Sequence, residues 1–95
     1  MADLRLIFTR HAEDMLVERS IDRSWVELTV REPELVERDP SRPDTVRAYR
    51  RIPERDSRVL RVAYIQSDES LRIVTVFFDR NQRRKLARLS DQKTN

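Results

Sequence analysis

Two places in this 95-residue chain carry side chains suited to chemistry: the single histidine, His11, and the run Val46-Arg47-Ala48-Tyr49-Arg50-Arg51-Ile52. On a strand, successive side chains point to opposite faces. Arg47, Tyr49 and Arg51 therefore share one side, while Val46, Ala48 and Ile52 share the other, broken only by Arg50. Two guanidinium groups around a phenol can hold a phosphate backbone and stack on a base. The same composition also guards an edge strand against aggregation by charge. Cleavage of RNA by its own 2′-hydroxyl needs a proton acceptor, cations for the crowded phosphate and a donor for the leaving oxygen. Histidine is the side-chain type that most readily trades a proton near neutral pH, so His11, Arg47, Tyr49 and Arg51 form the candidate catalytic set. The competing reading of His11 is structural, a ring packed under the strands that clamps the start of a helix.

A wider cationic set surrounds these residues. Arg61 and Arg72 fall on neighbouring strands and, with the right register, join Arg47 and Arg51 in a patch of four guanidiniums; register is not fixed by sequence. Beyond them, Arg83, Arg84 and Lys85 lie in a basic terminal stretch. Residues 80–95 hold six basic side chains and one acid, a net +5, against +3 for the whole chain. Residues 1–39 hold six arginines and ten acids, a net −4, and residues 43–66 six arginines and three acids, a net +3. The domain is thus expected to have an acidic end and a basic end, with the tail as a general attractant for polyanions.

Composition narrows the classes further. The chain is 39% charged and 38% hydrophobic, and its apolar residues cluster into periodic runs that disordered chains lack. It has no cysteine, which excludes disulfides and thiolate metal sites, and one histidine makes a protein zinc centre a poor reading. No metal or cofactor is implied. MADLRLIF is too short an apolar run for a signal peptide, and no stretch approaches the ~20 apolar residues of a membrane span. A cytoplasmic protein is the expectation.

The elements that must position these residues can be read in order. Leu4 to Phe8 alternates as a short strand. Thr9 suits an N-cap, and RHAEDMLVER then places Ala12, Met15, Leu16 and Arg19 on one helical stripe. Asp22 is a second N-cap, with Ile21 and Val26 as a hydrophobic staple. A second helix follows from about Arg23 to Glu32 and stops before Pro33, with Trp25 as a buried anchor. ELVE adds a short strand. Thr45–Ile52, Arg58–Gln66 and Leu71–Phe78 read as a meander of three antiparallel strands. With no glycine in the chain, both connecting turns are expected to exceed two residues. The expected fold is α+β: an N-terminal helical hairpin packed on one face of a curved antiparallel sheet of three to four strands. Residues 1–79 form one domain and residues 80–95 a basic C-terminal tail.

FTRHAEDMLVERSID, followed by REPELVE, the YRR strand, LRVAYI and IVTVFF, resembles the domain-of-unknown-function family 4258 over about residues 6–80. Asp14, where many relatives carry arginine, and the long basic tail depart from the pattern. That family is similar to the RelE-like and BrnT-like toxins, small metal-independent endoribonucleases whose helices cover one sheet face while the other meets RNA. The resemblance implies a RelE-like fold and a toxin-like endoribonuclease acting on mRNA, free or ribosome-bound, with a small acidic antitoxin as partner. A non-enzymatic module that binds RNA, a ribosome or a protein through the same basic face is the alternative.

Overall fold

The computed structural model describes residues 4–82 and Leu86. Strand β1 (Arg5–Phe8) leads through Thr9 into helix α1 (Arg10–Glu18), then α2 (Arg23–Arg31), β2 (Leu35–Arg38), β3 (Thr45–Ile52), β4 (Arg58–Gln66) and β5 (Ser70–Phe78). One five-stranded sheet runs in the order β1-β5-β4-β3-β2. β2 to β5 are antiparallel neighbours, whereas β1 lies parallel to β5, Arg5 opposite Ser70 through Phe8 opposite Ile73.

The α+β class holds, but the expected architecture does not. The helices follow a strand instead of opening the chain, the sheet has five strands instead of three or four, and it is mixed instead of antiparallel. α1 lies over β5 and β1, while α2 lies over β4 and β3. Each helix thus finds its main partner in the sheet. The cause is non-local: the chain must leave β1, cross one sheet face with both helices, lay down β2 to β4, and only then supply the strand that β1 pairs with.

Helix starts follow local chemistry. Thr9 Oγ1 accepts the amide of Ala12 at 3.1 Å, and Asp22 Oδ1 accepts the amide of Ser24 at 2.8 Å, each satisfying a donor that a helix leaves orphaned. Between the helices Ser20 adopts φ 52. The turn from β3 to β4 is a single 3-10 turn, Pro53–Arg55, closed by Asp56 (φ 56) and Ser57 (φ 57). Asp and Ser fill left-handed positions that glycine fills more cheaply.

Ala12, Leu16, Ile21, Val26 and Val30 from the helices pack on Ile52, Leu60, Val62, Leu71, Ile73 and Val76 from the sheet. Trp25 is only half-buried at the margin of this core, edge-on to Phe78 with 6.5 Å between ring centres. Val26 occupies the deep position instead. Arg50, the one cation on the core-facing side of β3, donates from Nη1 to the carbonyl of Glu32 at 2.6 Å. It thereby caps the C-terminal end of α2, where the helix dipole favours a positive charge. Among the described residues no helix is long and apolar enough to cross a membrane.

The opposite sheet face has a second, smaller core of Tyr49, Val59 and Leu86, with Leu35 against it. Leu86 is 1% exposed, so the stretch expected to be a tail contributes at least one side chain to the fold. Arg83, Arg84 and Lys85 lie outside the described residues.

Candidate functional site

Residues opposite one another on paired strands share a face. The register therefore lays out the face away from the helices in rows: Leu35-Tyr49-Arg61-Phe77, then Glu37-Arg47-Ala63-Thr75, then Thr45-Ile65-Arg72-Ile7. Arg51 stands beyond the first row, opposite Val59. Arg47, Tyr49, Arg51, Arg61 and Arg72 all fall on this face. His11 does not join them: it is exposed in the first turn of α1, the helix that packs on the other side.

The arginines on β3 are engaged by acids. Arg47 Nη2 donates to Asp39 Oδ2 at 3.1 Å, with Glu37 Oε1 at 3.8 Å from Nη1. Arg51 meets Glu34 through its backbone amide, at 2.7 Å, and through its guanidinium. Tyr49 is 0% exposed, and its hydroxyl donates to Glu37 Oε1 at 2.8 Å. Burial first, and the Glu37 contact second, hold the phenol above its ordinary range. Arg47, Tyr49 and Arg51 thus form a half-buried network of guanidinium, phenol and carboxylate, in which the phenol is covered by packing.

Arg61 is held more loosely. Its Nη1 lies 3.5 Å from Asp79 Oδ2, its guanidinium carbon sits 4.9 Å from the centre of the Phe77 ring, and its Nε is buried with no partner among the described residues. Beside it opens a cleft of about 220 Å³. Ala63 is its floor, a small side chain in the row between Arg47 and Thr75 and flanked along β4 by Arg61 and Ile65. A register shift between Ala63 and Tyr64 leaves Val74 as an extra residue on β5. Such a bulge re-aims neighbouring side chains, and here Val74 and Thr75, adjacent in sequence, both line the cleft.

The remaining wall is the loop from Asp39 to Thr45. Asp39 Oδ1 accepts the amides of Ser41 (2.8 Å) and Arg42 (3.2 Å), the amide of Thr45 donates to the Arg42 carbonyl at 2.9 Å, and Arg38 Nη1 donates to the Pro43 carbonyl at 2.6 Å. With Pro40 and Pro43 fixing φ, the loop presents Arg42 from a preformed turn. Asp39, Arg42, Ala63 and Thr75 were not singled out by sequence reasoning as site residues. Ala63 as the one small residue among large strand neighbours was the available signal, but it means something only once the register is known.

Two carboxylates that meet the arginines of this face, Asp39 and Glu34, are held below their ordinary values. At Asp39 the Ser41 amide is the main cause, with Arg47 adding to it. At Glu34 burial pushes upward, but hydrogen bonds and charge from Arg51 outweigh it. A depressed carboxylate stabilises the fold above its unfolded value and loses that contribution as pH falls through the folded value. The melting temperature is therefore expected to fall as pH drops from about 4.5, the ordinary glutamate value, into stronger acid. Glu34→Gln is expected to flatten that acid limb, and an identical limb in the variant, followed by circular dichroism, would remove Glu34 from it.

Among the described residues no group of three or more His, Cys, Asp or Glu side chains is placed to hold a metal ion. The family described as Domain of unknown function (DUF4258) matches residues 8–78. No curated protein and no solved structure matches the chain. The similarity to RelE-like and BrnT-like toxins is not carried by these comparisons.

Proposed function

The chain belongs to the domain-of-unknown-function family DUF4258, a description that states no activity, and from the open sheet face we propose that it binds single-stranded RNA. The supporting observation is the set Arg42, Arg61 and Arg72 on and beside that face. Arg42 and Arg72 are exposed and have no side-chain partner among the described residues, and Arg61 is only loosely paired, its Nη1 3.5 Å from Asp79 Oδ2. Arg47 and Arg51, neutralised by Asp39 and Glu34, serve this reading as scaffold. With Tyr49 covered, the ring this face offers beside its cations among the described residues is Phe77, half-buried under the Arg61 guanidinium, and a single strand can bring an unstacked base to it where a closed duplex cannot.

The test is fluorescence anisotropy with a labelled single-stranded RNA at several salt concentrations. Three phosphate contacts give a slope of log K on log salt of about −2 for a single strand. Arg72→Ala is expected to reduce that slope by about 0.7 with little change in melting temperature. A wild-type protein that binds no RNA at low salt would overturn the proposal.

A second reading, a metal-independent endoribonuclease of toxin type with a small acidic antitoxin as its partner, has one observation in its favour. Thr9, two residues before His11, approaches the carbonyl of Val74 from its hydroxyl at 3.5 Å, and Val74 lines the cleft. His11 itself is exposed in the first turn of α1, on the helix side of the sheet, so this bond ties only the start of its helix to the strand that lines the cleft. RNA shortened in the presence of a chelator by the wild type, and left intact by His11→Ala with unchanged affinity, would select this reading over simple binding.

A further inference from the structure

The cleft contains a contradiction if it is read as a phosphate site alone. Arg42 and Arg61 suit an anion, yet the Asp39 carboxylate also lines it. Arg47 compensates the charge of Asp39, so the carboxylate can stand beside a phosphate, and what it adds to the cleft is an acceptor for a hydroxyl. Among the described residues Asp39 Oδ1 takes two amides, but Oδ2 takes one N–H, from Arg47, at 3.1 Å; a carboxylate oxygen can accept two. One acceptor position on Oδ2 is left over. The volume, about 220 Å³, equals roughly seven waters at about 30 Å³ each, space for a phosphate together with the sugar it carries.

We infer that the cleft seats one ribonucleotide of the bound strand, its phosphate between the guanidiniums of Arg42 and Arg61 and a ribose hydroxyl donating to Asp39. The inference rests on the RNA-binding reading and adds the feature that tells RNA from DNA. Ala63 and Val74 give the sugar an apolar floor. Thr75, which has no side-chain hydrogen-bond partner among the described residues, offers a hydroxyl beside it. Arg61, whose Nη1 is held only at 3.5 Å from Asp79 Oδ2, supplies a guanidinium that lines the cleft. Because the Asp39 turn is already formed, little of the site must be ordered on binding, which lowers its entropic cost. The 2′-hydroxyl, donor and acceptor at once, is what such a carboxylate can read.

The experiment titrates the protein with adenosine 5′-monophosphate and with its 2′-deoxy analogue, followed by backbone amide shifts, and in parallel with the labelled RNA. Shifts at Thr45, Ala63 and Thr75 are expected, with the ribonucleotide bound about five- to tenfold more tightly. Ala63→Leu, which fills the floor without altering a charge, is expected to weaken the ribonucleotide at least tenfold. If that variant does not fold, Arg42→Ala, exposed and outside both cores, replaces it with a severalfold loss expected. Equal affinity for the two nucleotides, shifts confined to other residues, or undiminished binding by a folded variant would each overturn the inference. The two readings fail separately. RNA binding with no cleft shifts sinks the nucleotide site alone, and nucleotide shifts in the cleft with no RNA binding sink the RNA reading alone.

Discussion

Tyr49→Ala is expected to lower the stability of the domain by about 3 to 5 kcal/mol, the range for removing a large buried aromatic side chain. The ring is 0% exposed, packed with Val59 and Leu86 and against Leu35, on the sheet face the helices do not cover. A small core has no spare atoms to collapse into the space left behind, which favours the upper part of the range. Tyr49→Phe keeps the packing and loses the hydroxyl's contacts with Glu37 and Arg47, so it is expected to cost about 0.5 to 1.5 kcal/mol. A domain of this size has in total about 5 to 15 kcal/mol of stability, so the alanine variant removes a large share of it. Urea unfolding of the two variants against the wild type measures both values. A loss below 1 kcal/mol for Tyr49→Ala would mean that this second core is not closed.

The buried phenol also shows what could and could not be seen in the residues alone. The grouping of Arg47, Tyr49 and Arg51 on one face follows from period two, and so do the strands themselves. The caps at Thr9 and Asp22 follow from side-chain chemistry within three residues of the helix start. These are local rules, and they hold. What fails needs contacts far along the chain. Arg47 meets Asp39 eight residues away, Arg51 meets Glu34 seventeen away, and Arg61 meets Asp79 eighteen away, so a face read as bare cations is largely compensated. The parallel partner of β1 lies more than sixty residues downstream, and nothing in Leu4 to Phe8 distinguishes it from a strand with an antiparallel neighbour. Thr75 reads as an ordinary β-branched residue in an apolar strand. Only the bulge opposite Ala63 and Tyr64 brings it and Val74 into the cleft. Trp25 reads as a core anchor by size, but the helix turns Val26 inward, and the indole instead meets Phe78 and the guanidinium of Arg55, 5.9 Å from its ring centre.

Leu86→Ala is expected to cost about 2 to 4 kcal/mol, because a buried leucine reduced to alanine loses both its transfer free energy and the packing around the cavity it leaves. Residues 80–95 are rich in charge, and charge alone would make them a solvated attractant whose loss changes affinity but not stability. Leu86 separates the two roles. At 1% exposed it packs with Tyr49 and Val59, so its truncation uncovers the phenol without changing any charge. The complementary variant, Arg83→Ala/Arg84→Ala/Lys85→Ala, removes three charges and leaves Leu86 in place. If those three side chains contact phosphates, the salt slope for single-stranded RNA should fall by about 2 while the melting temperature stays within a few degrees of the wild type. The opposite pattern is expected for Leu86→Ala: a melting temperature lower by roughly 10 °C or more, at about 4 to 8 °C per kcal/mol for a domain of this size, with the salt slope retained in the folded fraction. A Leu86→Ala protein as stable as the wild type would detach the C-terminal stretch from the fold and return it to the role of attractant alone. Tyr49 would then lack one of the apolar side chains packed on it, at odds with its complete burial.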